Sequence, residues 1–271
     1  MMVIVMTQEA INTYNEGYWY YTGANGYPLN YKRAMDKFNA AAQQGVSSAM
    51  NYLGLIYLEG KIVKQDYSVA VDWFFKATQT EPVDIHALYN LGRAYYFGWG
   101  VAKNIPTAKE MFERTIAAGK DNSSPYASCC YMLGVIHAEI YKNYKEAYPL
   151  FCEAATLGNI PEAWHNIGWL LENHIILSSL KNYPDNKRTI ERDKCARDAY
   201  EKAANLGYAA SMDALGRLNL KYNQKQTARQ WIEKAAKLGF EPAQKRLQLL
   251  DSAESGSLWK MGSSLINMFK K

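Results

Sequence analysis

Residues 87–119 read ALYNLGRAYYFGWGVAKNIPTAKEMFERTIAAG and hold two helical patterns with a glycine-rich gap between them. In the second pattern Ala108, Phe112 and Thr115 stand at 0, +4 and +7, and Gly119 at +11. Positions 0, +4 and +7 fall on one face of an α-helix. Small side chains around one large one let a neighbouring helix approach closely, and the glycine offers the left-handed conformation in which helices commonly stop. In the first pattern Leu91, Gly92, Tyr95 and Gly98 also keep the helical period.

Both patterns run outward through the chain. The second returns at Ala34, Phe38, Ala41 and Gly45, then at Ala70, Phe74 and Ala77. It returns again at Ala147, Phe151, Ala154 and Gly158, at Ala196, Tyr200, Ala203 and Gly207, and at Ala228, Ile232, Ala235 and Gly239. Thr115 replaces the +7 alanine and Glu81 the +11 glycine. The first pattern recurs as Leu53-Gly54-x2-Tyr57-x2-Gly60, Leu133-Gly134-x2-His137, Ile167-Gly168 and Leu215-Gly216, with a degenerate copy at Gly17, Tyr20 and Gly23. A glycine inside a helix costs roughly 1 kcal/mol against alanine, so its repetition implies a close helix contact at that point. Each unit reads as helix A, loop, helix B, turn, and the chain as an all-α solenoid of about six such helix pairs.

Ala87-x3-Leu91-Gly92-x2-Tyr95-x2-Gly98-x-Gly100-Val101 with Ala108 resembles the Sel1-like repeat, a longer-looped relative of the tetratricopeptide repeats. So does Leu53-Gly54 with Tyr57, Gly60, Asp66, Ala70, Trp73, Phe74, Lys76 and Ala77. The resemblance covers roughly residues 11–250. It implies a right-handed superhelix of antiparallel helix pairs with the A helices on the concave side, and it implies no reaction. Residues 1–10 read as a tail. Residues 251–271 read as a linker followed by an amphipathic capping helix, with Leu258, Met261, Leu265 and Met268 in helical spacing. The A–B loop that follows Ile167-Gly168 is the long one: the segment 173–194, with Pro184 and Asn186, is expected to be a partly irregular insertion. Such an insertion serves either as part of a functional face or as a tolerated surface loop.

Composition narrows the chemistry. The 271 residues carry a formal net charge of +5, with no run of Lys and Arg dense enough to follow a phosphate backbone, so no nucleic-acid partner is expected. Cys129, Cys130, Cys152 and Cys195 form no C-x2-C pair, and the four histidines lack metal-ligand spacing; no metal and no cofactor are expected. Gly98 and Gly100 invite a phosphate-loop reading, but no strand precedes them and Ala102-Lys103-Asn104 breaks the fingerprint. No stretch approaches 18 apolar residues and the start lacks the marks of a signal peptide, so the expected location is cytoplasmic.

The content of 21 Tyr and 7 Trp is the unusual feature, since aromatics with a polar tip suit partly wet binding faces. If A helices line a groove and the Leu-Gly-Tyr positions face the core, the residues two before the Leu, and two and five after it, point into the groove. That geometry selects Tyr14, Tyr18 and Tyr21 in the first unit, then Asn51, Leu55 and Leu58. It continues with Tyr89, Arg93 and Tyr96, with Tyr131 and Val135, with His165, Trp169 and Glu172, and with Asp213 and Arg217. Tyr, Trp and Arg dominate binding hot spots; packing between repeats is the competing role for each ring.

The expected function is non-enzymatic: a protein or peptide ligand held in the concave groove. Two jobs fit, an adaptor or scaffold and, from the resemblance, a bacterial immunity protein that neutralises a toxin. A hydrolase using His165 or Cys130, and a peripheral membrane protein anchored by residues 258–271, are the readings from other classes.

Overall fold

The computed structural model describes residues 7–118, 124–173 and 185–254; the expected tail helix at 258–271, Gly119 and residues 174–184 of the expected insertion lie outside the described residues. The described residues are helical with no strand, and fall into two compact units, Met1–Ile136 and His137–Lys271.

The first unit holds α1 (Gln8–Thr22), α2 (Tyr31–Gln43), α3 (Ser47–Glu59), α4 (Tyr67–Gln79), α5 (Ile85–Phe97), α6 (Ile105–Ala117) and α7 (Ser124–Val135). Helices α1 and α2, α3 and α4, and α5 and α6 pack as pairs, and each B helix also packs on the A helix that follows. The second unit holds α8 (Tyr144–Gly158), α9 (Pro161–Asn173), α10 (Asp185–Asn205), α11 (Ala209–Lys221), α12 (Lys225–Lys237) and α13 (Glu241–Glu254), again a stack in which neighbours in sequence pack together. A π-helical turn, Ile136–Ile140, follows α7. Each unit is therefore a solenoid of helix pairs, the all-α class that the two sequence patterns predict.

The two patterns interlock. A Cβ built on Gly54 would lie 2.5 Å from the Phe74 ring, one on Gly92 2.6 Å from Phe112, and one on Gly17 2.8 Å from Phe38. In the second unit Gly168 meets Tyr200 at 2.7 Å and Gly216 meets Ile232 at 2.4 Å. The glycine of each of these A helices is thus the socket for the large +4 residue of its own B helix. Phe38, Phe112, Tyr200 and Ile232 have no solvent exposure, and neither do the alanines at 0 in the same helices. Dense packing of this kind leaves no space for an added methyl group.

The loops are tied by backbone. Gly23, Gly60 and Gly98 end α1, α3 and α5 in the left-handed conformation. Asn30, Asp66 and Asn104 then cap the B helices with their side chains. The backbone N–H of each cap donates to the carbonyl of Tyr20, Tyr57 or Tyr95 at 2.8–3.0 Å. Gly100 is needed for a second reason: at φ +67 a Cβ would stand 2.3 Å from the Tyr67 backbone.

Three expectations change. Residues 8–10, expected in the tail, are helical, because α1 starts at Gln8 under a Thr7 cap whose side chain accepts from the Ala10 N–H. Gly158 stays helical and Asn159, at φ 49, takes the left-handed stop. The insertion at 173–194 is helical from residue 185, so that α10 is 21 residues long.

A tyrosine-walled pocket in the first unit

In the first unit α3 contacts α5 and α5 contacts α7, so successive A helices lie side by side. Their edges carry the residues selected above, which range from exposed Tyr18 to buried Asn51 and Val135. A pocket of about 290 Å³ opens there, and Tyr14, Asn51, Leu55 and Tyr89 from three successive repeats line it. The geometry thus gathers four predicted groove positions around one cavity.

Around this pocket the rings form a continuous layer. Tyr52 lies 6.0 Å from Tyr14, 5.8 Å from Tyr18 and 5.3 Å from Tyr21, and it stacks on Phe38 at 4.9 Å. Tyr18 is exposed, whereas Tyr14 and Tyr21 are half-buried. Burial, followed by the nearby phenols and Asp84, raises the Tyr14 hydroxyl well above the usual tyrosine range, and burial pushes Tyr52 up to about 12. Both phenols are therefore neutral donors at physiological pH. Further along, the Arg93 guanidinium sits 5.6 Å from the Tyr89 ring and 5.0 Å from Trp99, and Lys103 sits 5.6 Å from Tyr96. Leu58, Tyr96 and Tyr131 are half-buried, and Val135 is buried.

The sequence pattern missed the polar floor. Ser48, Tyr52, Asp84, His86, Asn90 and Pro125 complete the pocket wall. Asn90 Nδ2 donates to Asn51 Oδ1 at 3.0 Å, which joins α5 to α3 across the repeat boundary. Asn51 is consequently buried, at 4% exposure, with one end of its amide spent on structure. Asp84 caps α5 by accepting from the Ala87 N–H at 2.8 Å, and its other oxygen accepts from the Ser48 hydroxyl at 2.7 Å. The signal for these residues was present, since Asp84 precedes an amphipathic run as a cap does and Tyr52 and Asn90 stand one position from the chosen register.

In the second unit most of the selected positions are engaged in hydrogen bonds and ion pairs. His165 Nδ1 bonds the Ser211 hydroxyl at 2.9 Å. Burial, then the Arg217 charge, lowers the imidazole to about 4. Glu172 accepts from the Tyr200 hydroxyl at 2.9 Å and pairs with Arg217 at 3.3 Å. Asp213, buried at 6%, pairs with Arg246 of α13 at 2.9 Å. This link repeats the Asn51–Asn90 geometry: a residue one before the Leu position of one A helix, taking Leu247 as that position in α13, reaches the residue two before it on the preceding A helix. Among these positions Trp169 is exposed, with its ring 5.9 Å from Tyr144.

Neither residue named for a hydrolytic site is set up for one. Cys130 has no solvent exposure, its neighbour Cys129 is pushed up to about 12 by burial, and His165 is buried against Ser211. Among the described residues no group of three metal-ligating side chains is gathered, and no helix is long and apolar enough to cross a membrane.

Helix pairs locked by a glycine socket, with a ring-lined edge of A helices, define a helical-repeat protein of the kind that typically mediates protein–protein contact. The Sel1 repeat pattern matches residues 14–46, 47–79, 85–120, 126–159 and 210–240, and the chain belongs to the Sel1-like repeat family. The unmatched stretch contains the pair α9 and α10 with its lengthened helix. A Sel1-like repeat-containing protein of Schizosaccharomyces pombe is 25% identical over 207 residues, 75% of this chain; the chain spans 29% of that relative's length. Among solved structures, a Sel1 repeat protein from Oxalobacter formigenes shares the fold with a TM-score of 0.68 at 23% identity, over 93% of this chain and 89% of that one. A protective antigen of uropathogenic Escherichia coli has a TM-score of 0.52 at 22% identity, over 94% of this chain and 58% of that one.

Proposed function

We propose that the chain is a non-enzymatic protein-binding module whose ligand, a peptide or the edge of a folded protein, sits on the A-helix edge of the first unit. One observation supports the reading: residues from three successive repeats converge on a ring-walled pocket that also carries polar groups. Large rigid aromatics bind with little loss of side-chain entropy, and a stack of repeats extends such a surface without long-range contacts. The residues that support the reading are Tyr18, Leu55, Tyr89, Arg93 and Tyr96, with Tyr131 on α7 at the same edge; in the second unit Trp169 is the exposed member. Scaffolding an assembly and neutralising a toxin both use a surface of this type.

The test is affinity capture with the wild-type chain, followed by a measured dissociation constant for the captured protein against Tyr89→Ala/Tyr96→Ala. The loss of two ring anchors is expected to weaken binding by about tenfold or more. Unchanged affinity would move the site elsewhere.

A further inference from the structure

Asp84 is a buried carboxylate on the wall of the first-unit pocket, and its partners do not neutralise it. Its side chain is 7% exposed, and its bonds go to the Ser48 hydroxyl and the Ala87 backbone N–H. Among the described residues, the cationisable group within 4.0 Å is His86 Nδ1, at 4.0 Å on a side chain 53% exposed. Buried charges are ordinarily matched by an opposite charge, and the half-charge of the α5 N-terminus offsets only part of this one. Among the described residues no Lys or Arg lines the pocket; Arg93 lies against Tyr89 and Trp99 instead.

The remaining wall is made for a cation. Tyr14, Tyr52 and Tyr89 contribute aromatic rings to the lining, and aromatic rings attract cations through the negative charge density of their faces. The Asn51–Asn90 bond spends one carbonyl oxygen, so one amide oxygen remains as an acceptor whichever way the two amides are turned. The field of Asp84 reaches into this space, since it contributes to the raised hydroxyls of Tyr14 and Tyr52.

We infer that the pocket receives a basic side chain of the protein partner, an arginine guanidinium or a lysine ammonium, which pairs with Asp84 and lies against Tyr14, Tyr52 and Tyr89. This rests on the protein-binding reading above and names the chemistry it recognises. The guest supplies the charge that the wall lacks, and its methylene stem lies beside Leu55.

The experiment titrates the full chain with the tripeptide Ac-Gly-Arg-Gly-NH2 and with its Lys, Gln and Glu counterparts, following tyrosine ring signals by NMR. The Arg and Lys peptides are expected to shift Tyr14, Tyr52 and Tyr89 saturably, and the Gln and Glu peptides to bind at least about tenfold more weakly, the difference worth one cation–π and charge contact. Asp84→Asn removes the charge while keeping a helix cap of equal quality, and it is expected to abolish the preference at unchanged circular dichroism. Equal binding of the Arg and Gln peptides, shifts confined to other residues, no saturable shift, or a preference that survives Asp84→Asn would each overturn the inference. The captured partner separates this from the broader reading. Affinity lost in Tyr89→Ala/Tyr96→Ala but retained in Asp84→Asn refutes the cation site alone, and affinity retained in both refutes the binding face as well.

Discussion

Gly92 states the folding rule in one residue. Its Cα faces the Phe112 ring so closely that a Cβ would stand 2.6 Å away. Gly92→Ala gains about 1 kcal/mol of helix preference, but forcing even one methyl group into a filled contact costs roughly 1–3 kcal/mol. We expect Gly92→Ala to be destabilising and Gly92→Val more so, and Phe112→Leu in the Gly92→Ala background to recover part of the loss; strict additivity of the two changes in urea unfolding would refute the socket. His165 gives a residue-scale pH signature. Its folded value, about 4, lies below the ordinary 6.5, so the unfolded chain takes up the proton first as pH falls. The contribution is full above about pH 6.5, declines between there and about 4, and amounts to at most about 3 kcal/mol. His165→Gln is expected to flatten that window in a plot of unfolding free energy against pH relative to wild type; parallel curves would contradict the burial argument.

Among elements, caps and inter-repeat links carry different weights. Asn104→Ala removes a side-chain acceptor at the start of α6 and is expected to cost about 1 kcal/mol. Arg246→Ala strands Asp213, a carboxylate with 6% exposure, and is expected to cost about 3–5 kcal/mol. A measured loss below 1 kcal/mol for Arg246→Ala would mean that water or a neighbour solvates Asp213. Helix pairs were legible in the sequence because the signal is local: a 3.6-residue period, a glycine at the socket and a polar cap all lie within one repeat. The polar links were not, because Asn51 meets Asn90 and Asp213 meets Arg246 across a repeat boundary, and a single-repeat pattern cannot show what the next helix brings. Helix α10 was misread for a related reason. Asn186 looked like a loop residue, yet it lies in the first turn of the helix, where a poor helix former costs little and basic and acidic residues then continue the period.

At the scale of the molecule, the repeat leaves its B helices locked into glycine sockets and its A-helix edges partly open. That division is why the candidate site was half legible: the register found Tyr14, Leu55 and Tyr89, and missed Asp84, which belongs to a cap rather than to a face. On the proposed reading, partners meet the A-helix edge and not the outer B-helix surface. Photo-crosslinking tests it most directly, with a benzoylphenylalanine placed at Tyr89 on α5 or at Phe75 on α4, which is an exposed ring of comparable size. A crosslink to the captured partner is expected from position 89 and none from position 75. A crosslink from 75 with none from 89 would contradict it.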